Sequence, residues 1–136
     1  MTDETISAEA VLDEKQRMEF LPKYAGKNYL RFETCVYALM DRASRQCQGG
    51  FWTFFELSNG GFYMCPDQSQ EFLMTWEGNY FEGKMSADSA GVAVTLMALG
   101  HFSCTLEGED FAEHFHRLRD FALQRAESAL IFGFID

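Results

Sequence analysis

Positive charge is scarce in this chain. Its 136 residues carry 11 lysines and arginines against 21 aspartates and glutamates, a net charge of −10. Such a balance repels a phosphate backbone and disfavours direct nucleic-acid binding. The only net positive stretch is residues 20–50, where Lys23, Lys27, Arg31, Arg42 and Arg45 face Glu33 and Asp41. The acids in turn are dispersed among Phe, Leu and Gly. A protein that imitates duplex DNA, with its charge every ~1.7 Å, needs long acidic files that are missing here. No run of about 18 apolar residues is present, so no membrane span is expected. The start, MTDETISAEAVLDEKQ, has neither a basic opening nor an apolar block, which argues against a secretory signal and for a cytoplasmic protein.

Motifs that carry chemistry are missing too. Cys35, Cys47, Cys65 and Cys104 form no CxxC pair, so neither a zinc site nor a redox pair is indicated, and reduced, mostly buried thiols are expected. There is no GxSxG, P-loop or GxGxxG. Glu113-x-x-His116 has the spacing used in di-iron bundles, but a second such motif is lacking. His114 and His116 point to different sides of a helix and read as surface imidazoles. His101 and Cys104, three apart, suggest a nucleophile–base pair on paper. Their apolar surroundings favour buried structural roles. Asp67, Glu71, Glu77 and Glu82 offer carboxylates of unfixed separation. No catalytic residue, metal ligand or cofactor site is assigned. A small cytosolic enzyme using His101 with Cys104, or these carboxylates, stays open as an alternative.

What the chain does have is rings. Hydrophobic residues make up 47% and Phe alone occurs 14 times, enough for one domain that buries roughly two-thirds of its unfolded surface. The stretch GGFWTFFELSNGGFYMCP (Gly49–Pro66) places two aromatic runs around Asn59-Gly60, the strongest short signal for a two-residue type I′ hairpin. That register groups Phe55, Leu57, Phe62 and Met64 on one face, and Trp52, Phe54, Glu56, Tyr63 and Cys65 on the other. Both faces call for cover. Trp52, Phe54, Glu56 and Tyr63, with Asp67, make either a partner-binding face or a second core layer.

A second hairpin is expected from Glu71–Glu77 and Tyr80–Met85 around a Gly78-Asn79 II′ turn, with Phe72, Met74, Trp76, Phe81 and Met85 inward. Helices are expected over about Ala8–Arg17, Tyr29–Cys47, Ala87–Phe102, Glu109–Arg125 and within Glu127–Asp136. Pro22 is expected to end the first, and Ser86 to cap the start of the third. Ala87–Phe102 is apolar nearly all round and reads as buried, with Gly91 allowing close approach to a sheet. The result is an α+β fold: a three- to four-stranded antiparallel meander sheet packed by about four helices. Residues 1–19 read as a polar, partly flexible segment and 20–136 as a single domain.

Four stretches carry a resemblance. GGFWTFFELSNGGFYMCPD (Gly49–Asp67), MSADSAGVAVTLMALG (Met85–Gly100), FHRLRDFALQRAESALIFGFID (Phe115–Asp136) and, more weakly, RMEFLPKYAG (Arg17–Gly26) resemble the ArdB/KlcA antirestriction family. Phe55 stands at a Tyr position and Cys65 at an Ala position of that pattern. The resemblance implies a small bacterial α+β protein carried on plasmids and other mobile elements, which relieves restriction of incoming DNA by type I restriction-modification enzymes. It implies no catalytic residue and no cofactor. A protein partner is expected, either the type I machinery or associated DNA-handling proteins, with no direct nucleic acid and no membrane. An acidic mimic competing for the restriction enzyme's DNA groove is the other open reading.

Overall fold

The computed structural model describes residues 5–46, 50–105 and 110–136. Its elements run β1 (Ala8–Ala10), α1 (Glu14–Ala25), α2 (Tyr29–Ala43), β2 (Trp52–Leu57), β3 (Phe62–Pro66), β4 (Glu71–Trp76), β5 (Phe81–Ser86), α3 (Ala87–Thr105), α4 (Phe111–Leu123) and α5 (Ser128–Ile135). This is the expected α+β class. The antiparallel strands divide into a three-stranded sheet, β1-β2-β3, and a separate β4-β5 ribbon.

The helix expected over Ala8–Arg17 is replaced by a strand and a later helix. Ala8–Ala10 pairs with Leu57–Phe55 on the open side of β2. The helix begins only after Asp13, whose carboxylate accepts from the Gln16 N–H at 3.0 Å. Pro22 does not end α1. The carbonyl its missing N–H would have bonded belongs to Met18, which is exposed and open to water. Phe20 and Leu21 from the same helix enter the core.

In the first hairpin the strands form where expected, but the register is shifted by one. Phe55 pairs with Tyr63, Phe54 with Met64 and Glu56 with Phe62. The cause lies in the turn. Gly60 N–H donates to the Leu57 carbonyl at 3.0 Å, and Leu57 N–H to the Gly61 carbonyl at 2.9 Å. Only Gly60 has positive φ, at 91°. Ser58-Asn59-Gly60 is therefore a three-residue loop closed by a left-handed glycine, and not a type I′ turn. Asn59 keeps negative φ and uses its side chain instead, accepting from Gly61 N–H at 3.0 Å and donating to the Arg117 carbonyl at 2.9 Å. A one-residue slip moves one strand's side chains to the opposite faces. Trp52, Phe54, Glu56, Phe62 and Met64 now share a side, where Phe20 stacks on Phe54 (4.7 Å) and Tyr24 on Phe62 (4.5 Å). Phe55, Leu57, Tyr63 and Cys65 share the other, with Phe55 and Phe121 both stacked against Tyr63. Both faces are covered, as their composition demanded.

The second hairpin has the expected register, Trp76 opposite Phe81 and Phe72 opposite Met85. Its turn is longer than a two-residue II′ turn: Glu77–Asn79 form one 3-10 turn and Tyr80 follows in the left-handed region at φ 52°. Asn79 Nδ2 ties this loop to the Phe134 carbonyl at 2.7 Å.

Helix α3 is the centre of the molecule. Ser86 caps it, accepting from the Ser89 N–H at 3.1 Å, and buried residues occur on all its sides. It lies along the free edge of β3, so close that a Cβ on Gly91 would sit 2.1 Å from Cys65 Cβ and 2.5 Å from the Met64 carbonyl oxygen. Closing an edge strand with a helix removes its capacity to pair with another chain. Helix α2 ends at Ala43, with Phe32, Val36 and Met40 buried; Cys47 and Glu109, expected at helix ends, lie outside the described residues. Glu113 and Arg117, one turn apart, form an ion pair on α4. Among the described residues no helix is long and apolar enough to cross a membrane.

Candidate functional site

Trp52, Phe54 and Tyr63 are core residues, 6%, 7% and 1% exposed. Of the set Trp52, Phe54, Glu56, Tyr63 and Asp67, only Glu56 and Asp67 reach solvent, and the register slip places Tyr63 behind the sheet from the other strand residues. The five residues therefore share no surface. Glu56 is held by Lys23 Nζ at 2.8 Å and by the Tyr24 hydroxyl at 2.5 Å. These two hydrogen bonds, Lys23 first, keep its carboxyl below the usual range in spite of partial burial.

His114 is buried and not at the surface. It stands edge-on to Tyr24 (5.4 Å) and Phe62 (5.3 Å), and its Nδ1 has no hydrogen-bond partner among the described residues. Burial, then the Arg117 charge, pushes its pKa down. His116 is exposed, as expected. His101 and Cys104 are exposed near the end of α3, contrary to the buried roles expected of them. Among the described thiols only Cys65 is buried. No group of three His, Cys, Asp or Glu side chains among the described residues could hold a metal.

The structure gathers a polar network around the first turn of α3 that the sequence reading did not assemble. Asp88 accepts from the Tyr63 hydroxyl at 2.7 Å through Oδ1 and pairs with Arg125 at 2.7 Å through Oδ2. Glu127 accepts from Ser86 Oγ at 2.7 Å and Ser89 Oγ at 2.6 Å. Arg125 also donates to Ser89 Oγ at 3.1 Å, joining the two carboxylates into one network. Burial opposes ionisation of Glu127, but the Ser89 and Ser86 hydrogen bonds outweigh it and hold the carboxyl low. Burial, then the charge of Asp88, pushes Tyr63 and Cys65 far up, so both stay protonated. Asp88 and Glu127 both have partners, and Tyr63 and Cys65 are held out of their ionised forms. This arrangement ties β3, α3 and the segment after α4 together. The only local signal was Ser86-Ala-Asp-Ser89, with serines spaced for capping.

A second feature is open. Between the end of α2 and the outer face of the β4-β5 ribbon lies a groove of about 540 Å³ bordered by Arg42, Arg45 and Lys84, with Glu77 its one acid. Arg42 lies over the Trp76 ring at 4.5 Å. Gln46 Oε1 accepts from Leu73 N–H at 2.6 Å, fixing the segment after α2 to β4. Arg42 and Arg45 belong to the one net positive stretch of the sequence; Lys84 joins them through the fold.

A family model described as "Antirestriction protein" matches residues 45–136. The antirestriction protein KlcA of Escherichia coli is 39% identical over 139 residues, covering 98% of this chain and 97% of KlcA. YfjX of Escherichia coli strain K12 is 39% identical over 137 residues, covering 96% of this chain and 88% of YfjX. A solved structure from work on KlcA and ArdB superposes with a TM-score of 0.87 at 37% identity, covering 100% of this chain and 99% of that one. KlcA and ArdB are described there as a novel fold with antirestriction activity against type I DNA restriction systems in vivo but not in vitro. With the hairpin, the buried central helix and the C-terminal helices matched, this chain belongs to the antirestriction protein family.

Proposed function

We propose that this protein relieves type I restriction of incoming DNA in the bacterial cytoplasm by binding a protein partner, and that it catalyses no reaction. The observation that carries this reading is the behaviour described for KlcA and ArdB, active in cells and inactive in vitro. A mimic that fills the restriction enzyme's DNA groove would work on purified components. Dependence on the cell points to a further protein, either a component of the restriction machinery in its working state or a protein that handles its DNA.

The chemistry of the chain supports a binding role. The polar network around Asp88 and Glu127 is held together by its own members, whereas the groove edged by Arg42, Arg45 and Lys84 is open to solvent. The test is a restriction-alleviation assay with the gene on a plasmid, followed by pull-down from cells containing and lacking the restriction subunits. Protection of unmodified DNA, with a captured protein absent from mock pull-downs, is expected. Purified protein that blocks DNA binding by the enzyme, in a manner abolished by salt, would establish mimicry instead. Loss of protection in folded His101→Ala or Cys104→Ser variants would establish the enzymatic alternative.

A further inference from the structure

We infer that the groove between α2 and the β4-β5 ribbon is a docking site for an acidic peptide segment of a partner protein. The first argument is charge. In a chain of net charge −10, three cations converge on one concavity beside a single acid, Glu77. Arg42, Arg45 and Lys84 are all exposed, and among the described residues none of the three is in an ion pair. Unpaired cations gathered in an otherwise acidic field attract a short run of carboxylates and orient it.

The lining narrows the ligand further. Two neutral polar groups of the lining are already used: Leu73 N–H donates to Gln46, and the Thr75 hydroxyl donates to the Ala43 carbonyl at 3.4 Å. The groove lies beside the C-terminal end of α2, where the helix carbonyls disfavour an anion held at the backbone. The cations stand on long side chains instead, suited to carboxylates on a flexible strand. Between them lies Leu73, 38% exposed on a half-exposed strand face and directly opposite Lys84. A peptide alternating acidic and apolar side chains fits this pattern. A nucleic-acid strand does not, because it runs on past the groove towards Glu71 and Glu82, both exposed on the same ribbon.

This inference rests on the protein-binding reading above and names the chemistry of the partner. The probe is an eight-residue synthetic peptide of alternating Glu and Leu, titrated into the full chain by calorimetry. An oligothymidylate and inorganic phosphate are the competing ligands. Saturable peptide binding is expected, weakening at least tenfold when salt rises from 50 to 300 mM and at least tenfold in Arg45→Glu/Lys84→Glu. Lys15→Glu/Lys27→Glu, with the same change in net charge at exposed sites elsewhere, is expected to bind within twofold of the parent. Because Arg42 packs on Trp76, it is left intact in these variants, and thermal melting confirms that both are folded. Equal binding by the two double variants, no peptide binding, or tighter binding of oligothymidylate or phosphate overturns the inference. In the alleviation assay the groove variant is expected to lose protection and the control to keep it. If the groove variant protects fully, the groove is not the functional surface while the protein-binding reading stands. If the unaltered chain gives no protection, that reading fails whatever the peptide does.

Discussion

Thr95 Oγ1 satisfies both main-chain polar atoms of Met64, accepting from its N–H at 3.4 Å and donating to its carbonyl at 3.3 Å. Met64 sits on β3, the edge strand, and Thr95 is completely buried on α3. One hydroxyl thus closes a gap in the sheet that no strand fills. Thr95→Val keeps the shape and removes both bonds. It is expected to cost about 1–3 kcal/mol, the penalty of unsatisfied buried polar groups, read as a lower denaturation midpoint with unchanged slope. A midpoint equal to the parent's would show that Met64 finds another partner.

Gly91 tests the same contact from its other side. Alanine at a helix position ordinarily gains about 1 kcal/mol over glycine. Here the added methyl would meet Cys65 Cβ at 2.1 Å and Cys65 Cα at 2.5 Å, and backbone cannot rotate away. Overpacking of this kind costs about 1–3 kcal/mol, so Gly91→Ala is expected to be net destabilising. A chemical-denaturation curve decides it; a stabilised variant would mean that α3 can lift from β3.

The buried His114 gives stability a pH dependence. Its folded pKa is held below the ordinary histidine value by burial and then by the Arg117 charge, so the unfolded chain binds the proton more readily. The associated stability is present above about pH 6.5 and is lost as pH falls through the folded value. Melting temperatures taken from pH 7.5 to 5 are expected to fall for the parent. They should fall less for His114→Phe, which keeps a ring against Tyr24 and Phe62. Parallel curves would remove His114 from the account.

Tyr80 is 98% exposed and holds φ 52°, a conformation that costs a non-glycine residue about 1–2 kcal/mol. Tyr80→Gly relieves this and gives back part of it in chain entropy. A net gain of about 0.5–1 kcal/mol is expected, measured by urea denaturation. A loss would reveal that the ring is held by contacts made in solution.

If the chain acts by binding, its isolated reactive groups are dispensable. His101→Ala and Cys104→Ser, both on the exposed end of α3, are expected to alleviate restriction within twofold of the parent. Tyr63→Phe, which deletes the hydroxyl on Asp88, is expected to lower stability by about 1.5–3 kcal/mol and to retain protection at permissive temperature.

Much of this architecture was legible because hydrophobic periodicity and turn residues act locally. The Phe72–Met85 ribbon, the Ser86 cap and the Gly91 approach could all be read from neighbours in the chain. Ser58-Asn59-Gly60-Gly61, however, supplies both a two-residue and a three-residue turn, and the choice between them falls to Asn59, whose amide reaches the Arg117 carbonyl far along the chain. β1 has no strand character in Ala8-Glu9-Ala10; it forms because β2 needed a neighbour. The burial of His114 does have a local signal: it lies three residues after Phe111 and four before Leu118, on the centre of the inward stripe. The Asp88–Arg125 and Ser89–Glu127 pairings join residues some forty positions apart, and no local pattern announces them. The groove was half visible, as Arg42 and Arg45 in the one basic stretch, but Lys84 meets them only through tertiary packing.

A helix wetted only towards one end has no independent existence. Until the ribbon, the three-stranded sheet and the C-terminal pair of helices are in place, α3 has nowhere to go, and when any of them departs it is stranded in water. Heating should therefore take the whole molecule apart in one step, and cutting it into smaller working pieces should fail.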